Sequence, residues 1–226
     1  MRTLQQEEEY PILKGKIISN KGLEVTKEEF KELFTEFQVE HSTAKKCRIK
    51  GKEIYVVGAV SRFNNSFEKL SQTALAETML KKPRHRIHHV RNSFKTLLVR
   101  MVEIIHSLEK SVYLIKNYRK PPESPKITVK KSSGTGVSEA PRGVLWHRYS
   151  FDEEGRVLEA DIVPPTSQNQ DIMEENVKSY LKRLKRTEID YLTLEAEKII
   201  RNYDPCISCA THFLKVDKSV KSCKIL

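Results

Sequence analysis

Apolar positions along the 226-residue chain change their period several times, and each change marks a predicted element. Thr26 followed three residues later by Glu29 forms a capping-box pair, and Phe30, Leu33, Phe34 and Phe37 continue from it at helical spacing. The run Glu53-Ile54-Tyr55-Val56-Val57-Gly58 is β-branched and aromatic, which predicts a short strand closed by Gly58. The strongest period joins Phe94, Leu97, Leu98, Met101, Ile104, Ile105, Leu108, Val112 and Ile115. It predicts one long helix, ending before Pro121-Pro122, with an apolar stripe packed inside a helical body. Residues 119–138, rich in Pro, Ser and Gly, read as a loop. Segments 144–151 and 157–163 are extended and joined by Asp152-Glu153-Glu154-Gly155, so they form a β-hairpin. A helix follows from about Asp171, and another carries Leu192, Ala196, Ile199 and Ile200 on one face before stopping at Asp204-Pro205. The predicted class is mainly α with a small β portion (α+β), in a single domain over residues 1–226 and without internal repeats.

Composition narrows the class of partner only a little. The hydrophobic fraction is 38% and the charged fraction 31%, as in globular domains. No apolar run approaches the ~20 residues that span a bilayer. The first residues lack the apolar core of a signal peptide, so neither a membrane span nor self-directed secretion is expected. The 41 Lys and Arg outnumber the 30 Asp and Glu, giving a formal charge of +11 that favours anionic partners. Local basic clusters occur at Lys81-Lys82-Pro83-Arg84-His85-Arg86 and at Lys182-Arg183-Leu184-Lys185-Arg186. Solvated surface is the commoner use of such runs, and no nucleic-acid partner is expected. His85, His88 and His89 belong to the first basic region, with no carboxylate or cysteine at ligand spacing.

Four cysteines, Cys47, Cys206, Cys209 and Cys223, are too few for a disulfide scaffold and suit a reducing compartment. The segment Tyr203-Asp204-Pro205-Cys206-Ile207-Ser208-Cys209-Ala210-Thr211-His212 follows the last predicted helix. Two cysteines three apart chelate a soft or borderline metal, and His212 lies three residues further on. A redox dithiol usually sits at a helix N-terminus, where the dipole lowers the thiol pKa, whereas this pair follows a C-terminus. By themselves these residues leave metal binding, redox chemistry and chemically silent cysteines open. Arg142 by itself reads as a buried ion pair with Asp204 or Glu139. His147 reads as a packed strand residue, and Cys47 and Cys223 as spectators.

The flanking residues add a resemblance. The segment 203–212, together with Glu139-Ala140-Pro141-Arg142-Gly143-Val144-Leu145-Trp146-His147 and Ile162-Val163-Pro164-Pro165-Thr166-Ser167-Gln168-Asn169-Gln170, resembles the C-terminal part of nickel–iron hydrogenase large (alpha) subunits. Their order and separation also match that family, and the third segment, read as the loop after the hairpin, is most similar to its cytosolic, cofactor-coupled or sulfur-reducing members. The resemblance implies a nickel–iron centre whose iron carries CO and cyanide ligands, with Cys206 as terminal nickel ligand and Cys209 bridging nickel and iron. Thiolates suit both positions because they are soft and can bridge. His212 would bind a nearby magnesium or second iron and mark the processing site. Arg142 would lie over the metals, oriented by Asp204, with Pro141 and Thr166 lining the diatomic ligands from outside.

The chain departs from the family in one respect. The family's first Arg-x-Cys-x-x-Cys pair has no counterpart here, since Cys47 stands alone in Lys45-Lys46-Cys47-Arg48. Two thiolates do not complete a four-thiolate site. The implied function is therefore half of an active site for reversible oxidation of H₂, needing an N-terminal half or missing upstream segment. Iron–sulfur clusters would reside in a small-subunit partner. A maturation endopeptidase would remove residues 213–226 after His212. A fragment or structural subunit that keeps the fold and only packs against partners is the alternative, and a cytoplasmic location is expected.

Overall fold

The computed structural model describes residues 1–5, 8–40, 42–50, 52–79, 90–124 and 128–206. The basic cluster at 81–86, His85, His88 and His89, Cys209, His212, Cys223 and the expected removable segment lie outside them. Helix and strand are mixed, as an α+β chain requires, and helix outweighs strand. The β portion, however, is not confined to one hairpin: among the described residues it forms three small antiparallel sheets. The first holds β1 (Arg2–Gln5), β2 (Lys16–Ser19) and β3 (Glu24–Val25), and the second pairs β4 (Phe34–Val39) with β5 (Ser42–Ile49). The third joins β6 (Ser132–Ala140), β7 (Gly143–Phe151) and β8 (Val157–Val163).

The capping box forms as the sequence predicts. Thr26 N–H and Oγ1 donate to Glu29 Oε2 at 2.9 and 2.8 Å, and Glu29 N–H donates back to Thr26 Oγ1 at 3.3 Å. The helix it opens, α1 (Phe30–Leu33), lasts one turn. Phe34 and Phe37 belong to β4 instead, because pairing with β5 overrides a spacing compatible with helix. The Phe30 and Phe34 rings stack at 4.3 Å, and Phe30 also stacks on Trp146 of β7 at 5.0 Å. Trp146 Nε1 donates to Lys27 O at 2.7 Å, so the largest core side chain buries its polar atom with a partner. This aromatic group, with Leu4, Ile17, Val25 and Val163, unites the sheets into one core, and Cys47 is buried in it. Tyr55 Oη lies 3.3 Å from the Cys47 sulfur, and burial pushes that thiol up to about 11.

Residues 54–57 form no ladder, contrary to the predicted strand, and only Glu53 makes an isolated bridge to Ile49. The backbone of Val57 is satisfied by a side chain instead. Its N–H donates to Asn169 Oδ1 at 2.9 Å, and Asn169 Nδ2 donates back to Val57 O at 3.3 Å. The amide thus takes the place of a neighbouring strand.

The predicted hairpin is present as β7 and β8. The loop predicted over 119–138 is overturned in its second half, where β6 pairs with β7 along its length. Gly136 makes this possible, since a Cβ there would stand 2.6 Å from the His147 ring. His147 is accordingly a packed strand residue.

The helices follow. The helix predicted from Asp171 starts earlier, as α5 (Pro165–Leu181), with Pro165 in its first turn. The polar segment Thr166-Ser167-Gln168-Asn169-Gln170, read as a loop, is therefore buried helix. Gln168 is 1% exposed and donates through Nε2 to Val144 O at 2.6 Å, while its Oε1 accepts from Tyr55 Oη at 3.2 Å. α6 (Ile189–Tyr203) packs on α5 through Val177, Ala196 and Ile199, as its pattern predicts. The third group comprises α2 (Ala59–Ser66), α3 (Gln72–Met79) and α4 (Thr96–Lys116), packed around Phe63, Leu70 and Val99.

α4 has the predicted length but not the predicted burial. Leu97, Met101, Ile104, Leu108, Val112 and Ile115 are exposed, and only Val99 and His106 are fully buried. The helical body expected to cover the stripe is not formed by the described residues.

Asp171 on α5 ties this helix to β5, with Oδ1 3.0 Å from Lys46 Nζ and Oδ2 bonded to Arg48 Nε. Burial opposes the Asp171 charge, but these two cations outweigh it and hold the carboxyl below the usual range. A carboxyl depressed in the folded state stabilises the fold above the unfolded pKa of about 3.9, and loses that contribution as pH falls through the folded value. Asp171→Asn is expected to lower the melting temperature at pH 7 and to flatten its fall below pH 4. Thermal unfolding of both proteins between pH 2 and 7 checks this, and parallel curves would refute it.

Candidate metal centre

Three segments that are remote in sequence meet at one turn. α6 ends on Asp204, which adopts the left-handed conformation at φ 49° and ψ 55°. Asp is among the few residues besides glycine that adopt this region readily, and it turns the chain sharply into Pro205 and Cys206. Arg142, in the β6–β7 turn, grips that cap twice. Its Nε donates to Asp204 O at 2.5 Å and lies 3.2 Å from Asp204 Oδ2. Thr166, in the first turn of α5, accepts the Cys206 N–H on Oγ1 at 3.3 Å. The structure thus brings together Arg142, Asp204, Thr166 and Cys206, with Pro141 beside them. Cys206 is a free, exposed cysteine. Arg142 is 35% exposed, so its pair with Asp204 is only partly buried, and Glu139 is not its partner.

Glu139 is held by a residue that the sequence did not single out. Arg62 on α2 is 4% exposed, and its Nη1 donates to Glu139 Oε2 at 2.7 Å and to Ala140 O at 2.9 Å. Nη2 donates to Pro141 O at 2.9 Å and to Glu103 Oε2 at 2.8 Å, and Nε donates to Glu103 Oε1 at 2.7 Å. Burial works against this guanidinium, but the Glu103 and Glu139 carboxylates outweigh it and push its pKa above the ordinary arginine range. Burial also raises Glu139, opposed by Arg62 and by hydrogen bonds from Leu4 N–H and Thr3 Oγ1. Every oxygen and nitrogen of this pair has a partner, the condition under which a buried ion pair is tolerated. No periodicity or spacing marks Arg62, a single cation on a two-turn helix.

Two glycines let the Arg142 turn approach the segment before α2. Gly58, at φ 107°, would place a Cβ 2.6 Å from Arg142 O, and Gly143, at φ 133°, would place one 2.7 Å from Gly58 N. Beside this contact lies a cavity of about 30 Å³ lined by Gly58, Arg100, Pro141, Arg142, Asn169, Asn202 and Tyr203, among others. Its polar lining includes two guanidinium groups and Asn202, whose Nδ2 is buried without a hydrogen-bond partner. Arg100 on α4 donates to Asn202 O at 3.1 Å and so fixes the last turn of α6.

A soft metal held at this turn would need thiolates. Among the described residues Cys206 is the thiol in place, and no group of three His, Cys, Asp or Glu assembles. What is in place is one soft donor, a free thiol on an exposed turn, beside a cation and a cavity lined partly by hydrogen-bond donors. No helix among the described residues is long and apolar enough to cross a membrane.

Such a turn, presented beside an arginine-bearing hairpin on an α+β scaffold, is the candidate site. The family model for nickel-dependent hydrogenases matches residues 20–212, and the chain belongs to that family. It is 34% identical over 210 residues to the alpha subunit of sulfhydrogenase 1 from Pyrococcus furiosus, covering 92% of this chain and 48% of that protein. It is 30% identical over 166 residues to an F420-non-reducing hydrogenase subunit of Methanothermobacter thermautotrophicus, covering 70% and 34%. In fold it resembles an NAD⁺-reducing [NiFe]-hydrogenase in the H₂-reduced state, with a TM-score of 0.70 at 22% identity, over 93% of this chain and 50% of the other. The chain therefore spans about half the length, or less, of these relatives.

Replacing Arg62 by Met would strand Glu139 in the core. Loss of one partner of a buried pair costs about 3–5 kcal/mol. Urea unfolding of Arg62→Met should show a loss of that size. The double variant Arg62→Met/Glu139→Gln should recover part of it, and a double variant as unstable as the sum of the singles would refute the pairing.

Proposed function

We propose that this chain supplies the C-terminal half of a hydrogenase large subunit, and with it one side of a nickel–iron active site for reversible H₂ oxidation. The observation that carries this reading is the convergence of Arg142, Asp204 and Thr166 on the turn that presents Cys206, within the region matched to the family. In this assignment the Cys206 and Cys209 thiolates would hold the nickel–iron group, and His212 would bind magnesium or a second iron. When bound, the nickel–iron group, with CO and cyanide on iron, supplies the site at which H₂ is split heterolytically.

The residues of this chain then have definite tasks. Cys206 Sγ offers a soft anionic ligand that also accepts a proton. The Thr166 hydroxyl fixes the backbone that carries this sulfur. Arg142 holds a permanent positive charge beside the site, oriented by the two Asp204 oxygens that it contacts. Arg142 would lie close to the diatomic ligands, with Pro141 beside it. Electrons leave through an iron–sulfur small subunit. An N-terminal half provides the second Cys-x-x-Cys pair, which this sequence lacks. A maturation endopeptidase cleaves after His212, and the enzyme works in the cytoplasm.

The second reading is a subunit that keeps the fold and packs against partners without catalysis. It is favoured by one observation, that the sequence holds no counterpart of the family's first Arg-x-Cys-x-x-Cys pair.

Co-expression with an iron–sulfur partner, an N-terminal half and maturation factors separates the two. The first reading expects stoichiometric nickel in the purified complex, and loss of at least nine-tenths of it in Cys206→Ser with the complex intact. A complex without nickel would establish the structural reading, and nickel unchanged by Cys206→Ser would overturn the assignment of Cys206.

A further inference from the structure

We infer that the outer face of α4 is a docking surface for the polypeptide that supplies the remaining half of the large subunit. This rests on the reading of the chain as one half of that subunit.

The surface is defined by one helix. Leu97, Met101, Ile104, Leu108, Val112 and Ile115 recur at spacings of four and three on α4, and they are between 50% and 75% exposed. All residues from 111 to 124 are exposed as well. At on the order of 100 Å² for each half-exposed large side chain, the six-residue stripe presents about 600 Å². Monomeric proteins rarely expose more than a few hundred Å² of contiguous apolar surface, while a stable interface buries about 800 Å² per partner.

The occupant follows from chemistry and length. The six stripe positions carry no charge although the chain bears +11, so the face suits neither nucleic acid nor an acidic surface. Knobs at alternating spacings of three and four receive another helix, ridge into groove. The matched [NiFe]-hydrogenase chain has as much polypeptide again as this chain covers, and that remainder must pack against the shared fold. Such a remainder is the partner in view, presenting an apolar helix.

The inner face of the same helix gives docking a consequence. Val99, Val102 and Ile105 pack into the α2–α3 core. Arg100 holds Asn202 O at the end of α6, and Glu103 holds Arg62 and accepts the Tyr10 hydroxyl at 2.6 Å. A partner seated on α4 thus clamps the helix that braces both the Cys206 turn and the Arg142 turn.

The test uses the full chain and the double variant Met101→Glu/Leu108→Glu, checked for an unchanged circular dichroism spectrum and melting temperature. The probe is the portion of the Pyrococcus furiosus sulfhydrogenase 1 alpha chain that this protein does not match, with that chain's own matching portion as positive control. The inference expects this protein to co-purify with the probe and its α4 amides to gain at least tenfold protection from hydrogen exchange. It expects the variant to lose at least tenfold of the recovered complex. It is overturned if the control binds while this protein does not, or if the variant binds equally. It is also overturned if sedimentation shows a dimer of this chain that the variant abolishes, for the occupant is then a second copy. Nickel content separates this from the functional reading. A variant-sensitive complex that never takes up nickel leaves the docking surface standing and removes the active site, and nickel uptake indifferent to the variant does the reverse.

Discussion

A single buried guanidinium organises the region around the candidate site. Arg62 reaches out of α2 to two carboxylates and to the carbonyls of Ala140 and Pro141. A cation in such a place is tolerable only when each N–H has an acceptor. That requirement fixes the end of β6, the middle of α4 and the start of the β6–β7 turn relative to one another. Arg142 sits one residue beyond Pro141, so its placement inherits the order imposed at Arg62. Glycines 58 and 143 close the remaining gap by letting two backbones touch.

The other half of the arrangement comes from side-chain amides acting as backbone. Asn169 satisfies Val57 on both its N–H and its carbonyl, and Gln168 bridges β7 to Tyr55. A buried polar helix turn is costly to desolvate, and here each donor bond recovers part of that loss while specifying one orientation of α5. Thr166, in the same turn, then meets the Cys206 backbone. The segment that looks like a polar loop in sequence is buried helix, tied by side-chain hydrogen bonds to β7, Tyr55 and Val57.

Legibility in sequence tracks how local each determinant is. The capping box at Thr26 and Glu29, the long period of α4, the β7–β8 hairpin and the stop at Asp204 all rest on neighbours within a few residues, and they are readable. The chain's family is readable too, because three motifs in order leave little freedom. What fails depends on distant partners. Phe34 and Phe37 fit a helix until β5 claims them, and residues 54–57 look like a strand until Asn169 replaces the ladder. Gly136 of β6, loop-like in sequence, admits a histidine ring from the opposite strand. The α4 stripe suggests burial in sequence because periodicity reports amphipathicity and not which molecule covers it. In the site, Arg142, Asp204, Cys206 and Thr166 are identified through the motif resemblance, whereas Arg62, Arg100 and Asn169 carry no local signature. Cys209 and His212 lie beyond the described residues.

The left-handed cap at Asp204 has a mechanical meaning. One guanidinium is held by both the main-chain and the side-chain oxygen of the same residue, and that residue is two positions before the thiol. Rotating the turn carries both oxygens with it, and the cation must follow. The thiol-bearing turn and the neighbouring charge therefore behave as one geared unit with few independent degrees of freedom. Thermal motion of the turn would shift them together and leave their mutual registry intact.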